Sequence, residues 1–353
     1  MPIQVIDPFG VPADPALPAL SLAVDPAVVE REFKRGLPLL AGPVGVVRVK
    51  TIRIIRYRPG RRCLIEYDVR VEQPGTKRQK RTLVGKMRVR QFGMSDFRLM
   101  RKFWRAGFDS CSLDGISVPK PIGVLPKFRM WLQLKVPGRP VSELLAEPMG
   151  EALAKRVAEA AHKLHRSGVR AKKRHTMSDE LRILEQCLQA VAALEPRWER
   201  RLERLFRACK HLAKTAPKPA PCGVHRDFYP DQVLANGNQL YLLDFDLYCR
   251  GDPGLDIGNF LGHITEQSLR TYSDPAALSG VEQALEERFV ELSGEDVRPA
   301  VRAYAALTLA RHVYLSTRFP ERRSWTETLL ELCEVRLGVA AHGAVYSSEK
   351  GAS

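Results

Sequence analysis

Several absences narrow this chain before any motif is read. No run of 18 apolar residues occurs, so no stretch is long enough to cross a bilayer as a helix. The first 30 residues hold no Lys or Arg. They open on Pro and Asp rather than on a charged and then apolar segment, which counts against a signal peptide. The seven cysteines (Cys63, Cys111, Cys187, Cys209, Cys222, Cys249 and Cys333) are scattered, odd in number and without a Cys-x-x-Cys pair. That usage fits a reducing, cytoplasmic setting and argues against a disulfide framework or a zinc site. Aromatics make up 7% of the chain, too few beside its basic residues to supply a base-stacking surface, so nucleic acid is not an expected partner. There is also no Glu between Glu72 and Glu143.

What is abundant is positive charge. The 353 residues carry 56 Lys and Arg against 40 Asp and Glu, a net charge of +16. Residues 31–110 alone hold 22 basic against 6 acidic side chains. The remaining 34 of each sign cancel, so the whole surplus lies in one segment. A basic surface of this kind favours polyphosphate, nucleic acid, anionic lipid or an acidic partner, or is simply a solvated face.

In chain order, residues 1–30 are Pro- and Ala-rich and predict an extended, loosely packed lead-in. Residues 51–90 predict a meander. Thr51–Arg58 and Cys63–Val71 are joined by a turn at Pro59–Arg62, and Arg81–Arg90 follows after Pro74-Gly75. Alternation in the third strand puts Val84, Lys86 and Arg88 on one face and Leu83, Gly85, Met87 and Val89 on the other. A lysine within an apolar strand calls for a partner. Ser95–Ala106 reads as a helix with Ser95 as N-cap and Gly107 at its end. Val118–Val124 and Arg129–Val136 are apolar segments, after which the pattern turns helical. Glu151–His165, Ser178–Leu194, Arg197–Lys214, Val281–Leu292, Asp296–Thr317 and Arg323–Leu337 carry apolar stripes at the 3.6-residue period. His162 and His165 form a His-x-x-His without a third ligand nearby, and residues from Ala340 predict a frayed end.

The chemistry concentrates in Gly223–Leu261, GVHRDFYPDQVLANGNQLYLLDFDLYCRGDPGLDIGNFL. Short strands at Gln232–Ala235 and Gln239–Phe245 flank Asn236-Gly237, a hairpin signal. A hairpin there brings Asp227, Gln232 and Asp244 toward one point. Three oxygen-bearing groups around a point suit a hard cation such as Mg²⁺ and a phosphoryl group in transit.

Three ordered pieces, HRDFYPDQ, LLDFD and GDPGLD, fall within 32 residues. This stretch resembles the catalytic and metal-binding loops of the aminoglycoside phosphotransferase and choline kinase-like family, the small-molecule branch of the protein-kinase-like fold. The resemblance implies an α+β, two-lobed fold with a small antiparallel-sheet N-lobe and a mainly helical C-lobe. It places the lead-in at 1–30, the nucleotide-binding N-lobe at 31–136, the C-lobe at 137–340 and a tail at 341–353. It implies a kinase that transfers the γ-phosphoryl group of ATP or GTP, with Mg²⁺, to a hydroxyl of a small molecule. Asp227 would be the catalytic base, with His225 supporting the loop and Arg226 adding positive charge beside the acceptor. Asp244 would hold Mg²⁺, with Gln232, where the family has Asn, as a second metal oxygen, and Asp246 would be a second metal-site or a substrate-orienting carboxylate. Lys86 would hold the nucleotide phosphates, Val84 would touch adenine, and Gly60 and Arg61 would lie in the nucleotide-covering turn. Gln133, Lys135 and Val136 would form the adenine edge. Asp256 would support the catalytic loop or cap a helix starting at Ile257.

The chain departs from the family pattern in three ways. The helix glutamate that pairs with the strand lysine is missing, leaving Asp96 as a short substitute. Gln232 replaces Asn, and the covering turn has a single glycine. These departures also fit a second expectation, a pseudokinase or nucleotide-sensing module without turnover. Aminoglycosides, being polycations, want an acidic cleft that Arg226 and a neutral C-lobe would not supply. A sugar, an amino alcohol or an anionic metabolite is the expected acceptor.

Overall fold

The computed structural model describes residues 2–11, 14–42, 44–75, 77–89, 93–217 and 219–339. They form two compact units, each described on its own. The first comprises the described residues up to Gly138 together with Leu234–Asp246, and the second comprises Arg139–Val233 and the described residues from Leu247 on. Arg90 and the tail from Ala340 lie outside the described residues.

The chain runs through β1 (Gln4–Ile6), α1 (Leu20–Val24), α2 (Pro26–Gly36), α3 (Pro38–Ala41), β2 (Val46–Arg58), β3 (Arg62–Glu72) and β4 (Gln79–Arg88). It continues with α4 (Met94–Arg105), β5 (Ile116–Ser117), β6 (Pro121–Leu125) and β7 (Met130–Leu134). Then come β8 (Arg139–Pro140), α5 (Gly150–Arg166), α6 (Met177–Leu194), α7 (Glu199–Thr215), β9 (Cys222–Val224), β10 (Val233–Asn236), β11 (Gln239–Leu242) and β12 (Cys249–Gly251). Four helices close the described chain: α8 (Gly254–Tyr272), α9 (Ser279–Ser293), α10 (Arg298–Arg318) and α11 (Thr326–Arg336).

The first unit is built on a six-stranded sheet in the order β1-β2-β3-β4-β7-β6. Only the β1–β2 pair is parallel. Alternation along the central strands follows the sequence pattern: Leu83, Gly85 and Met87 of β4 are buried, and Cys63, Ile65, Tyr67 and Val69 of β3 join them in the core. Val84, Lys86 and Arg88 take the other face, as expected from a period of two.

The N-terminal residues are not the extended lead-in that their composition suggested. β1 pairs with β2 in the register Gln4↔Thr51, and Leu17, Leu20, Ala23, Val29 and Phe33 are core residues. Phe33 packs on Tyr67 with ring centroids 4.9 Å apart, and the Tyr67 hydroxyl donates to the Ala23 carbonyl at 2.9 Å. The Pro residues that read as breakers instead start helices: Pro26 opens α2 behind Asp25, whose carboxylate accepts from the Val28 N–H at 2.9 Å. Leu234–Asp246, expected within the helical lobe, belongs to the first unit, because β11 pairs in parallel with β5. The hairpin turn is Gly237-Asn238, one residue later than expected, with Gly237 at φ +56°.

The second unit is helical, and the predicted helices appear within a few residues of their expected ends, α6 opening on a Thr176–Asp179 capping box. Its closest packing joins α8 to α10. Gly254, Gly258 and Gly262 recur every fourth residue on one face of α8. A Cβ added at Gly258 would run into Tyr304 Cβ and stand 2.7 Å from the Val301 carbonyl oxygen, both on α10. On an open helix, Gly→Ala stabilises by about 1 kcal/mol. Here the sign should reverse: Gly258→Ala is expected to cost about 1–3 kcal/mol through overpacking, read as a lower denaturant midpoint with an unchanged slope.

Candidate active site

In the first unit, the open face of β4 carries a cation cluster that meets the turn after β11. Lys86 Nζ donates to Asp244 Oδ1 at 3.2 Å, and its side chain is 13% exposed. It also lies 5.8 Å from the Trp131 ring centroid, a cation–π distance. Burial lowers the Lys86 pKa, Arg88 adds to that, and Asp244 opposes both without cancelling them. Arg88 stands 3.6 Å from the same Asp244 oxygen and contacts the Asp246 carboxylate. Asp244 adopts φ +55°, a left-handed conformation that a non-glycine residue keeps only where its surroundings hold it.

Lys86, Asp244 and Asp246 line a small cleft with Asp96, Met100, Trp131 and Gln133. Asp96 faces the cleft from the first turn of α4, yet the hydrogen bond to Lys86 is made by Asp244. The missing helix glutamate is thus answered from the other side. Ser95 is not the N-cap of α4; Gly93 holds that position, and Ser95 Oγ bonds Asp96 instead. Asp244 and Asp246 bring two carboxylates to one turn. Such oxygens suit Mg²⁺, which takes one or two carboxylates and fills its shell with water and substrate phosphates. Among the described residues no group of three or more His, Cys, Asp or Glu gathers round a point, and this coordination habit does not require one.

Two of the expected nucleotide contacts are altered. The Gly60 N–H, in a turn with φ +63°, donates to Asp14 at 2.9 Å, and the Tyr57 hydroxyl donates to the same carboxylate at 3.1 Å. A carboxylate thus engages the Gly60 N–H, and Arg61 is exposed beside it. No local signal marked Asp14, which lies 46 residues before its partner. At the expected adenine edge, the N–H groups of Leu134 and Lys135 donate to Lys120 and Thr82 carbonyls at 2.9 and 2.8 Å. The Lys135 side chain pairs with Glu66 at 2.6 Å. Gln133 lines the cleft, Val84 sits opposite it in the register, and Val136 follows the end of β7.

In the second unit, one buried carboxylate organises the loop after β9. Asp256, fully buried on the first turn of α8, accepts from the His225 N–H at 2.8 Å and the Arg226 N–H at 2.7 Å. His165 Nε2 of α5 lies 2.8 Å from it. The helix begins at Gly254, so Asp256 is not its cap. Arg226 has φ +71°, and its carbonyl accepts from Asn259 Nδ2 at 2.7 Å. Asn259 Oδ1 in turn accepts from Thr308 at 2.6 Å and Arg311 at 3.3 Å. Glu180 accepts from Arg311 at 3.0 Å, sits 2.6 Å from His175, and faces Arg226 Nε at 4.0 Å. Burial alone would raise the Glu180 pKa; His175 and Arg311 outweigh it and leave it lowered. The Arg226 charge therefore faces a carboxylate that Arg311 and His175 also engage.

Asp227 follows this pinned pair and precedes the fully buried Phe228. His225 is fully buried, with its ring 5.6 Å from Phe228. Gln232 donates from Nε2 to the Tyr229 hydroxyl at 3.1 Å, leaving Oε1 as the atom it can offer a cation. His165, Glu180, Asn259 and Arg311 carry no site signal in the sequence, and only the fold brings them to this loop. His165 sat in the His-x-x-His, but its partner lies 91 residues on.

Residues 94–304 match the family profile described as "Phosphotransferase enzyme family". Among solved structures the chain is similar to a choline/ethanolamine kinase family protein from Mesorhizobium loti, at 14% identity over 87% of this chain and 92% of that one, TM-score 0.54. It is also similar to a glucosamine kinase in complex with glucosamine, ADP and inorganic phosphate (16% identity, 91% and 84% covered, TM-score 0.54). A third likeness is to a thermostable mutant of an aminoglycoside phosphotransferase in ternary complex with ADP and hygromycin B (15% identity, 83% and 96% covered, TM-score 0.53). No curated protein sequence matches the chain. At these identities the likenesses show the fold: a kinase-like α+β fold with a sheet-rich lobe and a helical lobe, 52% helix and 20% strand.

Asp252, in the GDPGLD stretch, gives a pH test of the loop's packing. Burial pushes its carboxyl up to about 6, although its Oδ1 accepts the Gly254 N–H at 2.8 Å. A folded-state value above the unfolded one makes its stabilising contribution complete below about pH 4, and that contribution is lost as pH rises through 6. Asp252→Asn, which keeps the acceptor without the charge, is expected to stabilise the protein by about 2–3 kcal/mol at pH 8. At pH 4 it should change little. Denaturant unfolding at the two pH values measures the difference.

Proposed function

The chain belongs to the phosphotransferase enzyme family, and from that premise we propose that it transfers the γ-phosphoryl group of ATP or GTP to a hydroxyl of a small molecule. The observation that carries the reading is the ion pair of Lys86 with Asp244 at 3.2 Å, a phosphate-holding cation beside a carboxylate fit for a metal. Phosphoryl transfer needs positioning and charge neutralisation more than covalent help.

Lys86 and Arg88 hold the nucleotide phosphates, and the lowered Lys86 pKa reflects a site that excludes water. Asp244 and Asp246 are the residues of the first unit that would hold Mg²⁺, and Gln232 Oε1 is the oxygen the second unit would offer a metal. The ion, when bound, neutralises phosphate charge. Asp227 takes or orients the proton of the acceptor hydroxyl at its carboxylate. Asp256 keeps the preceding residues in place, and its two N–H contacts fix where Asp227 leaves the backbone. Two of the similar structures are complexes with glucosamine and with hygromycin B. Sugars, amino sugars and amino alcohols are accordingly the first acceptors to try.

A second reading, nucleotide sensing without turnover, is favoured by the chain's departures from the family pattern, in which Asp244 and not a helix glutamate pairs with Lys86. Nucleotide binding and turnover with Mg²⁺ and an acceptor panel separate the two. Under the kinase reading, Asp227→Ala keeps nucleotide affinity and loses about 10²–10⁴ in kcat, while Asp244→Ala loses Mg²⁺-dependent binding. Binding without turnover by the wild-type protein would favour the sensor, and no binding at all would refute both.

A further inference from the structure

The basic surplus of residues 31–110 is not all consumed at Lys86. Six residues back along β4, about 20 Å at strand spacing, a row of cations crosses three strands. Arg48 lies opposite Arg70, and Arg70 opposite Lys80. Directly opposed residues share a face, and like charges so placed repel. Glu72 answers Arg48 at 3.4 Å, but among the described residues Arg70 and Lys80 form no ion pair. Lys50 is the extra residue where the β2–β3 register shifts between Val49 and Thr51, and such a bulge re-aims a side chain. Lys50, Arg70, Lys80 and Arg81 line a hollow of ≈ 470 Å³. The one acid in its wall, Asp68, accepts from Thr82 at 2.7 Å and lies 3.7 Å from Arg53.

From this we infer a second anion site on the first unit, for a soluble ligand carrying two or more clustered phosphate groups. Four cations against one engaged carboxylate leave an uncompensated charge that a polyphosphate would satisfy. The hollow has no aromatic wall to stack on a base, and its one apolar residue, Val69, is buried in the core. Neither a nucleobase nor a lipid chain therefore finds a contact there. The site goes beyond the proposed phosphotransfer and uses none of its residues.

The test is tripolyphosphate binding, followed by calorimetry and thermal unfolding at fixed ionic strength. Wild type should bind and gain thermal stability beyond that given by NaCl at matched ionic strength. The variant R70Q/K80Q should lose at least tenfold in affinity, yet without ligand be as stable as wild type or more so, since the opposed charges are gone. Lys86→Ala, which empties the other cation cluster, should leave this binding in place. The inference is overturned if R70Q/K80Q binds as wild type does, if Lys86→Ala abolishes binding, or if R70Q/K80Q is destabilised without ligand. It is equally overturned if tripolyphosphate fails while single-stranded oligonucleotide or anionic vesicles bind through Arg70 and Lys80.

Discussion

A carboxylate with no exposed surface must be fully satisfied or neutralised, because leaving it bare would cost several kcal/mol. Asp256 meets that demand with two backbone N–H groups and one imidazole. Meeting it fixes α5, the loop after β9 and the start of α8 relative to one another. The glycines of α8 serve the same end, since Gly258 and Gly262 let α8 approach α10 closely enough for Asn259 to reach both Thr308 and the Arg226 carbonyl. The position of Asp227 is a consequence of this packing.

Two of the four non-glycine residues with positive φ among those described are candidate site residues, Asp244 in the first unit and Arg226 in the second. Each costs of order 1–3 kcal/mol. Arg226 is held on both sides, its N–H by Asp256 and its carbonyl by Asn259. Asp244 is held by Lys86 and Arg88. Backbone strain and charge clustering thus occur at the same residues, the pattern expected where geometry serves chemistry and not stability alone.

In the first unit the charges divide by what answers them. Arg53, Arg48 and Arg78 find Glu66 and Glu72, and Lys86 and Arg88 find Asp244 and Asp246. Arg70 and Lys80 face each other instead. Composition gave the size of the surplus but not this division, which depends on strand register.

What the sequence determined by itself was local. A period of two put Lys86 and Arg88 opposite Leu83 and Met87, a period of 3.6 marked the helices, and HRDFYPDQ, LLDFD and GDPGLD marked the loops. These signals need only neighbours a few residues apart. Tertiary structure decided the partners: Asp244 for Lys86 at a separation of 158 residues, Asp256 for His165 at 91, and Asp14 for Gly60 at 46. It also turned the Pro-rich start into core, because Leu17, Leu20 and Phe33 bury only against a sheet formed later in the chain. Pairing of this kind depends on which surfaces meet, and no residue's own pattern carries that information.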